Sequence, residues 1–308
     1  MTMRIVISGT SGLIGSHLVK ALPRLDPAVR CERLVRRQGD GRLMTDEIPW
    51  DPTAGRIEAD RLEDSHTVIH LAGAGIAGQR WTERYKDKIL ASRLDGTGTL
   101  SRTLGSLKHP PRLLICASAV GYYGDRPAGE SVDEASPSGT GFLARVCREW
   151  ERAADPAREA GIRVVHLRFG MVLSPAGGAL ARLLPFFRLG LGGRIGSGRQ
   201  LVPWVALDEI PLIVGHLIRT ESLAGPVNAV APETPTNKEW TRILARVLRR
   251  PAEIPVPAFA LRILFGDMAD EVLLAGARVV PRRLLESGYS FRWPALEPAL
   301  ANMLAGKP

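Results

Sequence analysis

The 308-residue chain is 45% hydrophobic, enough for a full core in one large domain or two unequal lobes. No apolar run approaches the ~18 residues that span a bilayer, and strand-like sequence from Arg4 onward leaves no room for a signal peptide, so a cytoplasmic protein without a membrane partner is expected. The net charge of +9 comes from scattered, arginine-dominated side chains with no long like-charge block and no interleaved aromatics, which argues for a solvated surface and against a nucleic-acid partner.

The first half alternates strand and helix. Arg4–Ser8 is a short apolar run ending at glycine, a helical pattern covers Leu13–Leu25 with Pro27 beyond it, and Cys31–Val35 is a second strand. Residues 36–59 are rich in Gly, Pro and Asp and are expected as loop, with a brief strand near Ile48–Trp50. A strand at Thr67–Leu71, an amphipathic helix over Thr82–Leu107 and a buried strand at Leu113–Ala117 follow. Next come a helix over Thr140–Ala160 and a strand at Arg163–Phe169. Helices are then expected near 178–189, 237–249, 258–276 and 294–304, with one more strand at Val227–Val230.

Strands alternating with helices of this length imply right-handed βαβ units and a parallel sheet covered on both faces. The expected fold is therefore α/β, a Rossmann-type doubly wound parallel sheet with a smaller, mostly helical C-terminal lobe. The boundaries are 1–235 for the nucleotide-binding domain, with 170–205 contributing to a substrate cleft, and 236–308 for the lobe. Cys31, Cys116 and Cys147 lie far apart without metal-like spacing, so reduced thiols and no metal site are expected.

The turn Gly9-Thr10-Ser11-Gly12-Leu13-Ile14-Gly15 follows the first strand and opens the first helix, the context a dinucleotide site requires. Gly9 permits the tight turn, Gly12 lets a pyrophosphate approach the backbone, and Gly15 lets the helix pack on the strand. About twenty residues on, an acidic side chain would hold the ribose of NAD. Arg36 and Arg37 stand there instead, and two guanidinium groups suit the 2′-phosphate of NADP(H).

The glycine spacing resembles that of the extended short-chain dehydrogenase/reductases. His70-Leu71-Ala72-Gly73 is similar to the segment that passes the cofactor's adenine and ribose in those enzymes. Ala117-Ser118-Ala119-Val120-Gly121-Tyr122-Tyr123-Gly124 is similar to their serine-bearing strand end. Further motifs are Arg80-Trp81, Ser92-Arg93, Trp150-Glu151, Gly192-Gly193-Arg194-Ile195-Gly196-Ser197-Gly198-Arg199-Gln200, Pro203-Trp204, Asn228-Ala229-Val230-Ala231-Pro232 and Thr236-Asn237. Together they resemble the atypical "epimerase family" proteins, NAD-dependent epimerase/dehydratase-like chains with a C-terminal domain of unknown function. The resemblance covers essentially the whole chain. It implies cofactor contacts at the glycine turn, Arg36, Arg37, Leu71, Ala72, Gly73, Arg93 and Val172, with Lys88 near the same phosphate region. After Trp204 the family pattern has Ile-His where this chain has Val205-Ala206, so a role tied to that histidine does not transfer.

Conventional members of the class use a Tyr-x-x-x-Lys pair on the helix after the serine strand, the lysine lowering the tyrosine's pKa. Counting from Ser118, the corresponding positions are Phe142 and Val146, and neither can move a proton. Hydride chemistry would then need another donor, with Tyr122 or Tyr123 as candidates and Ser118 orienting a carbonyl. Arg80, Trp81, Gln200 and Trp204 are candidates for the substrate cleft. The leading expectation is an NADP(H)-dependent oxidoreductase or epimerase-like enzyme acting on a small polar molecule, a nucleotide sugar by family analogy. The alternative is a catalytically silent NADP(H)-binding regulator. Assembly as a homo-oligomer is compatible with either.

Overall fold

The computed structural model describes residues 2–36, 43–127 and 129–305. From the N-terminus, β1 (Met3–Ser8) leads into α1 (Leu13–Leu25) and β2 (Val29–Arg36), and β3 (Glu47–Asp51) and β4 (Arg56–Ile57) follow. The chain then crosses to β5 (Thr67–His70), α2 (Glu83–Gly105), β6 (Leu113–Ala119), β7 (Ser131–Val132), α3 (Phe142–Arg152), α4 (Asp155–Glu159) and β8 (Arg163–Phe169). Beyond it lie β9 (Met171–Leu173), α5 (Gly178–Arg188), β10 (Trp204–Ala206), α6 (Ile210–Arg219) and β11 (Gly225–Ala229). The last elements are α7 (Asn237–Leu248), α8 (Ala258–Phe265), a π-helical turn Ala269–Leu274, β12 (Arg278–Val279), α9 (Arg282–Glu286) and α10 (Leu296–Leu304).

Eight strands form one sheet in the order β11-β8-β6-β5-β1-β2-β3-β4, parallel throughout except for the β3–β4 hairpin at the edge. Alternate side chains feed opposite layers, as the strand period dictates. Ile5 and Ile7 pack with α1 and α6, whereas Val6 packs with Leu100 and Leu104 of α2 and Ala157 of α4. The apolar runs of β5 and β6 are buried on both faces, which is why they read as continuous rather than alternating. The sheet is thus a Rossmann-type doubly wound parallel sheet, and the region after it is mostly helical. A further apolar core joins Leu180, Leu184 and Phe187 of α5 and Trp204 of β10 to Trp240 of α7 and Leu300 of α10. The later helices therefore share their core with elements that precede residue 236.

Several elements differ from the sequence reading. The helix expected over Thr140–Ala160 is two helices, broken at Ala153–Ala154, because Pro156 has no N–H to continue the first and is well placed to start the second. The helix expected over 258–276 stops at Gly266, whose φ of +60° favours glycine, and resumes as the π-helical turn. The β9–β10 pair, β12 and α9 were not expected; the three strands are two or three residues long and show no period. No helix among the described residues is long and apolar enough to cross a membrane. The three thiols are unpaired, and burial pushes each up, Cys31 and Cys147 to about 11 and Cys116 to about 12.

Candidate functional site

The strand order reverses at β1, which has β2 on one side and β5 on the other. Loops leaving the carboxyl ends of β1 and β5 therefore diverge to opposite faces and open a crevice, where α/β sheets bind ligands. The Gly9–Gly15 turn forms one wall and Leu71–Gly73 the other. Gly9 has φ +70°, and a Cβ there would lie 2.7 Å from the Leu71 carbonyl carbon. Gly15 is as constrained, since a Cβ on it would sit 2.4 Å from the Gly9 carbonyl oxygen. A Cβ on Gly12 would meet only that same oxygen, at 3.3 Å, so this position faces open space.

The first helical bond of α1 runs from Ser16 N–H to Gly12 C=O (3.0 Å), so the amides ahead of it have no partner within the helix. Gly12 supplies no side-chain cap, and the first turn contains no acidic residue. Thr10 is half-buried and Ser11 exposed, while Leu13 and Ile14 are half-buried beside the opening. An uncapped positive helix end flanked by glycine is a site for an anion. Beneath the opposite wall, the Ser8 hydroxyl meets Nδ1 of His70 (2.7 Å) and accepts from Leu71 N–H (3.1 Å).

Arg93 supports the same reading. The residue is only 9% exposed, and its guanidinium donates to the carbonyls of Ala74 (3.1 Å) and Ile89 (2.9 Å) and stacks over Trp150 at 4.8 Å. It underlies Gly73 and has no carboxylate partner among the described residues. Burial pulls its pKa below the usual arginine value. A buried, uncompensated cation is costly without an anion to face it, and here the crevice lies beside it. Arg36 ends β2, exposed and without an ion pair among the described residues, whereas Arg33 on the same strand is spent on Asp46 and Glu47. Arg37 lies outside the described residues. Val172 is half-buried on β9, and its carbonyl borders Gly178 at the start of α5, where Leu13 packs on Gly177. Lys88 is separated from this group. Five residues along a helix is a rotation of about 140°, and Lys88 is exposed while Arg93 is buried.

The candidate catalytic hydroxyls have unequal surroundings. Ser118 is 2% exposed and donates to Glu151 Oε1 at 2.7 Å. The Glu151 carboxylate also accepts from Nε and Nη2 of Arg168 at 2.8 Å each. Arg168 Nη1 donates to the Tyr123 hydroxyl (2.9 Å), which donates to Asn228 Oδ1 (2.8 Å). Tyr123 is therefore committed on both sides of its oxygen, fully buried, and pushed by burial up to about 12. Tyr122 differs: it is half-buried, lies under the Arg168 guanidinium (3.5 Å to the ring centroid), and its hydroxyl has no partner among the described residues. Burial disfavours the Arg168 charge, but the hydrogen bonds and charge of Glu151 more than offset it and raise the guanidinium pKa.

Three of the four candidate cleft residues are packed into the structure. Trp204 is fully buried in the α5–α7 core. Trp81 is 6% exposed, donates its indole N–H to Ile76 C=O (2.8 Å), and packs edge-on against Phe142 at 5.2 Å. Gln200 bridges the carbonyls of Ile195 and Leu273. Only Arg80 is exposed, lying against Gly266. Helix α3 contains neither Tyr nor Lys, and its first two amides are capped by Glu271 at 2.8 and 2.7 Å. The sequence reading gave no role to Glu151, Arg168, Asn228 or Glu271. The available signal was Arg168 itself, a charge inside an apolar strand that has to find a buried partner.

A doubly wound sheet with an uncapped glycine turn at its switch point defines the Rossmann class of dinucleotide-binding proteins. Comparison with known proteins narrows this. Residues 5–222 match the NAD dependent epimerase/dehydratase family, and residues 256–303 match a domain of unknown function, DUF1731. The chain belongs to that epimerase/dehydratase family. It is 41% identical over 296 residues to the epimerase family protein Mb2239 of Mycobacterium bovis, covering 96% of each chain. It is 34% identical over 306 residues to the epimerase family protein SDR39U1 of Homo sapiens, covering 98% of this chain and all of the relative. The crystal structure of human SDR39U1 (isoform 2) with NADPH is similar at a TM-score of 0.88 and 32% identity, over 99% of this chain and 100% of that one.

Proposed function

We propose that this chain binds NADP(H) in the β1/β5 crevice and acts as an oxidoreductase or epimerase-like enzyme without a Tyr-x-x-x-Lys pair. The observation that carries it is the pairing of an uncapped α1 N-terminus with the uncompensated guanidinium of Arg93. The NADPH bound to the human relative supports the choice of dinucleotide. The amides of the glycine turn would hold the pyrophosphate, Arg36 with Arg37 the 2′-phosphate, and Arg93 with Leu71–Gly73 the adjoining ribose. Val172 would border the nicotinamide end. When bound, the reduced cofactor supplies a hydride to a carbonyl carbon. Tyr122 would carry the proton to the oxygen, because Tyr123 and Ser118 already donate theirs to Asn228 and Glu151. Residues 236–308 would form the lobe that closes over the cleft.

A fluorescence titration with NADPH and NADH tests the cofactor. Tighter binding of NADPH is expected, and Arg36→Asp should cost it about 10- to 100-fold while sparing NADH. Equal wild-type affinities would remove the 2′-phosphate argument. The second reading, a silent NADP(H)-binding regulator, is favoured by the commitment of Ser118 and Tyr123 to buried partners. Tyr122→Phe separates the two: it should abolish cofactor-dependent turnover while leaving NADPH affinity unchanged.

A further inference from the structure

Three buried polar side chains form a row across the carboxyl end of the sheet. Arg168 of β8 is the register partner of Ser118 on β6 and of Asn228 on β11, and all three are at most 2% exposed. Register partners in parallel strands project to the same face. The guanidinium in this row is fixed along its edges. Its Nε and Nη2 donate to Glu151 at 2.8 Å each, and Nη1 donates to the Tyr123 hydroxyl at 2.9 Å. With all three nitrogens engaged, the group presents a face to the Tyr122 ring, whose centroid lies 3.5 Å from Cζ. Tyr123 braces the same ring from the side, perpendicular to it at 81° with centroids 5.4 Å apart.

Stability alone does not account for a charge in this place. A buried ion pair can often be exchanged for apolar side chains of similar volume without loss. Proton chemistry at Tyr122 does account for it. A phenol that gives up its proton spreads negative charge into its ring, so a cation on the ring face attracts the phenolate more strongly than the phenol. In a Tyr-x-x-x-Lys pair the lysine, one turn along the same helix, supplies that cation. Helix α3 has no lysine, and here β8 brings the charge to a tyrosine on the turn that follows β6. A guanidinium does not surrender its proton in a protein, so Arg168 acts through its charge and is not a proton source.

We propose that Arg168 is the positioning residue for proton transfer at Tyr122, doing from β8 what the absent lysine would do from α3. It holds the ring at the carboxyl end of β6 and stabilises the phenolate left when the proton departs. The proposal rests on the reading of Tyr122 as the proton donor beside NADP(H). In the step it serves, the substrate's carbonyl carbon takes a hydride from the reduced cofactor and the C=O π pair moves to oxygen. That oxygen takes the proton as the Tyr122 O–H bond breaks. The products are an alcohol, the oxidised cofactor and a Tyr122 phenolate facing Arg168, which regains its proton from water.

Nitration of the full chain by tetranitromethane, which attacks tyrosine as the phenolate, tests this without a substrate. The four tyrosines are followed separately by peptide mass mapping at one mildly alkaline pH, and Tyr122 should react fastest. Glu151→Leu with Arg168→Met removes the cation without stranding a buried carboxylate, and should slow Tyr122 about tenfold while Tyr85 keeps its wild-type rate. Loss of the Glu151 charge favours a phenolate and looser packing exposes the ring, so neither can produce the slowing. Arg168→Lys keeps the charge and should stay within about threefold of wild type. A Tyr122 rate unchanged or raised in the double variant, or lost equally in Arg168→Lys, overturns the proposal. Saturating NADPH should protect Tyr122. NADPH that binds without protecting it refutes the donor reading and the proposal with it, whereas protection combined with nitration indifferent to Arg168 overturns the proposal alone.

Discussion

Gly12 and Gly15 belong to one turn, yet alanine should destabilise the fold at Gly15 and leave its stability unchanged at Gly12. In Gly15→Ala the new methyl would lie 2.4 Å from Gly9 O, 2.8 Å from Gly9 C and 2.9 Å from Thr10 Cα, all of them backbone. Ordinary contact begins near 3.4 Å, so the turn and helix must separate by about 1 Å. Overpacking of this kind costs about 1–3 kcal/mol, and the helix-propensity gain of alanine returns at most about 1 kcal/mol. With three backbone contacts under 3.0 Å the cost falls at the upper end of that range, so the net should be a loss of about 2 kcal/mol, visible as a thermal midpoint a few degrees lower in the absence of cofactor. In Gly12→Ala the single contact at 3.3 Å requires a shift of only a few tenths of an ångström, so the midpoint should hold. Its methyl, however, would project toward the space assigned to the pyrophosphate and should weaken NADPH at least tenfold. Thermal unfolding paired with NADPH titration reads both effects. Wild-type NADPH affinity in Gly12→Ala, or an unchanged midpoint in Gly15→Ala, would refute this account of the turn.

Other perturbations probe the surroundings of the site. Arg168→Met should cost about 3–5 kcal/mol in urea unfolding, because it leaves the Glu151 carboxylate without its buried partner; Arg168→Met with Glu151→Leu should cost less than the single change. If the double variant is the less stable, the ion pair is not what Arg168 contributes. Glu271→Ala removes the cap on the Phe142 and Leu143 amides and should lose about 1–2 kcal/mol, and a loss within measurement error would show the cap to be incidental. His70 is fully buried, and burial pushes its imidazole down to about 4 from 6.5. The unfolded chain therefore takes up the proton first as pH falls. The stability that His70 contributes is complete above pH 6.5 and is lost progressively toward pH 4, about 3 kcal/mol at most. Urea midpoints from pH 7 to 4 should fall more steeply for the wild type than for His70→Leu, and parallel curves would argue against a neutral buried imidazole.

Much of the fold was legible because its signals are local. The glycine turn combines strand, turn and helix in fifteen residues, and the buried strands announce themselves by composition, Leu113–Ala117 most clearly. The absence of Tyr and Lys from Phe142–Arg152 is likewise a property of one segment. The π-helical turn and the short β9, β10 and β12 strands were not legible, because contacts with distant chain fix them and their own residues show no period.

The sequence alone therefore determined the sheet class, the position of the crevice and the charge at the end of β2, since each depends on spacing within a single βα unit. Only the tertiary structure decided which side chains are free to act. Tyr122 and Tyr123 are neighbours in sequence, but folding buries one against Asn228 and Arg168 and leaves the other's hydroxyl without such partners. Trp81, Trp204 and Gln200 had the motif context of a cleft and became packing or bracing. The physical reason is common to these cases. A hydrogen bond or a buried face is a relation between segments scores of residues apart, and local sequence cannot say whether a polar group will find its partner or an apolar face its cover.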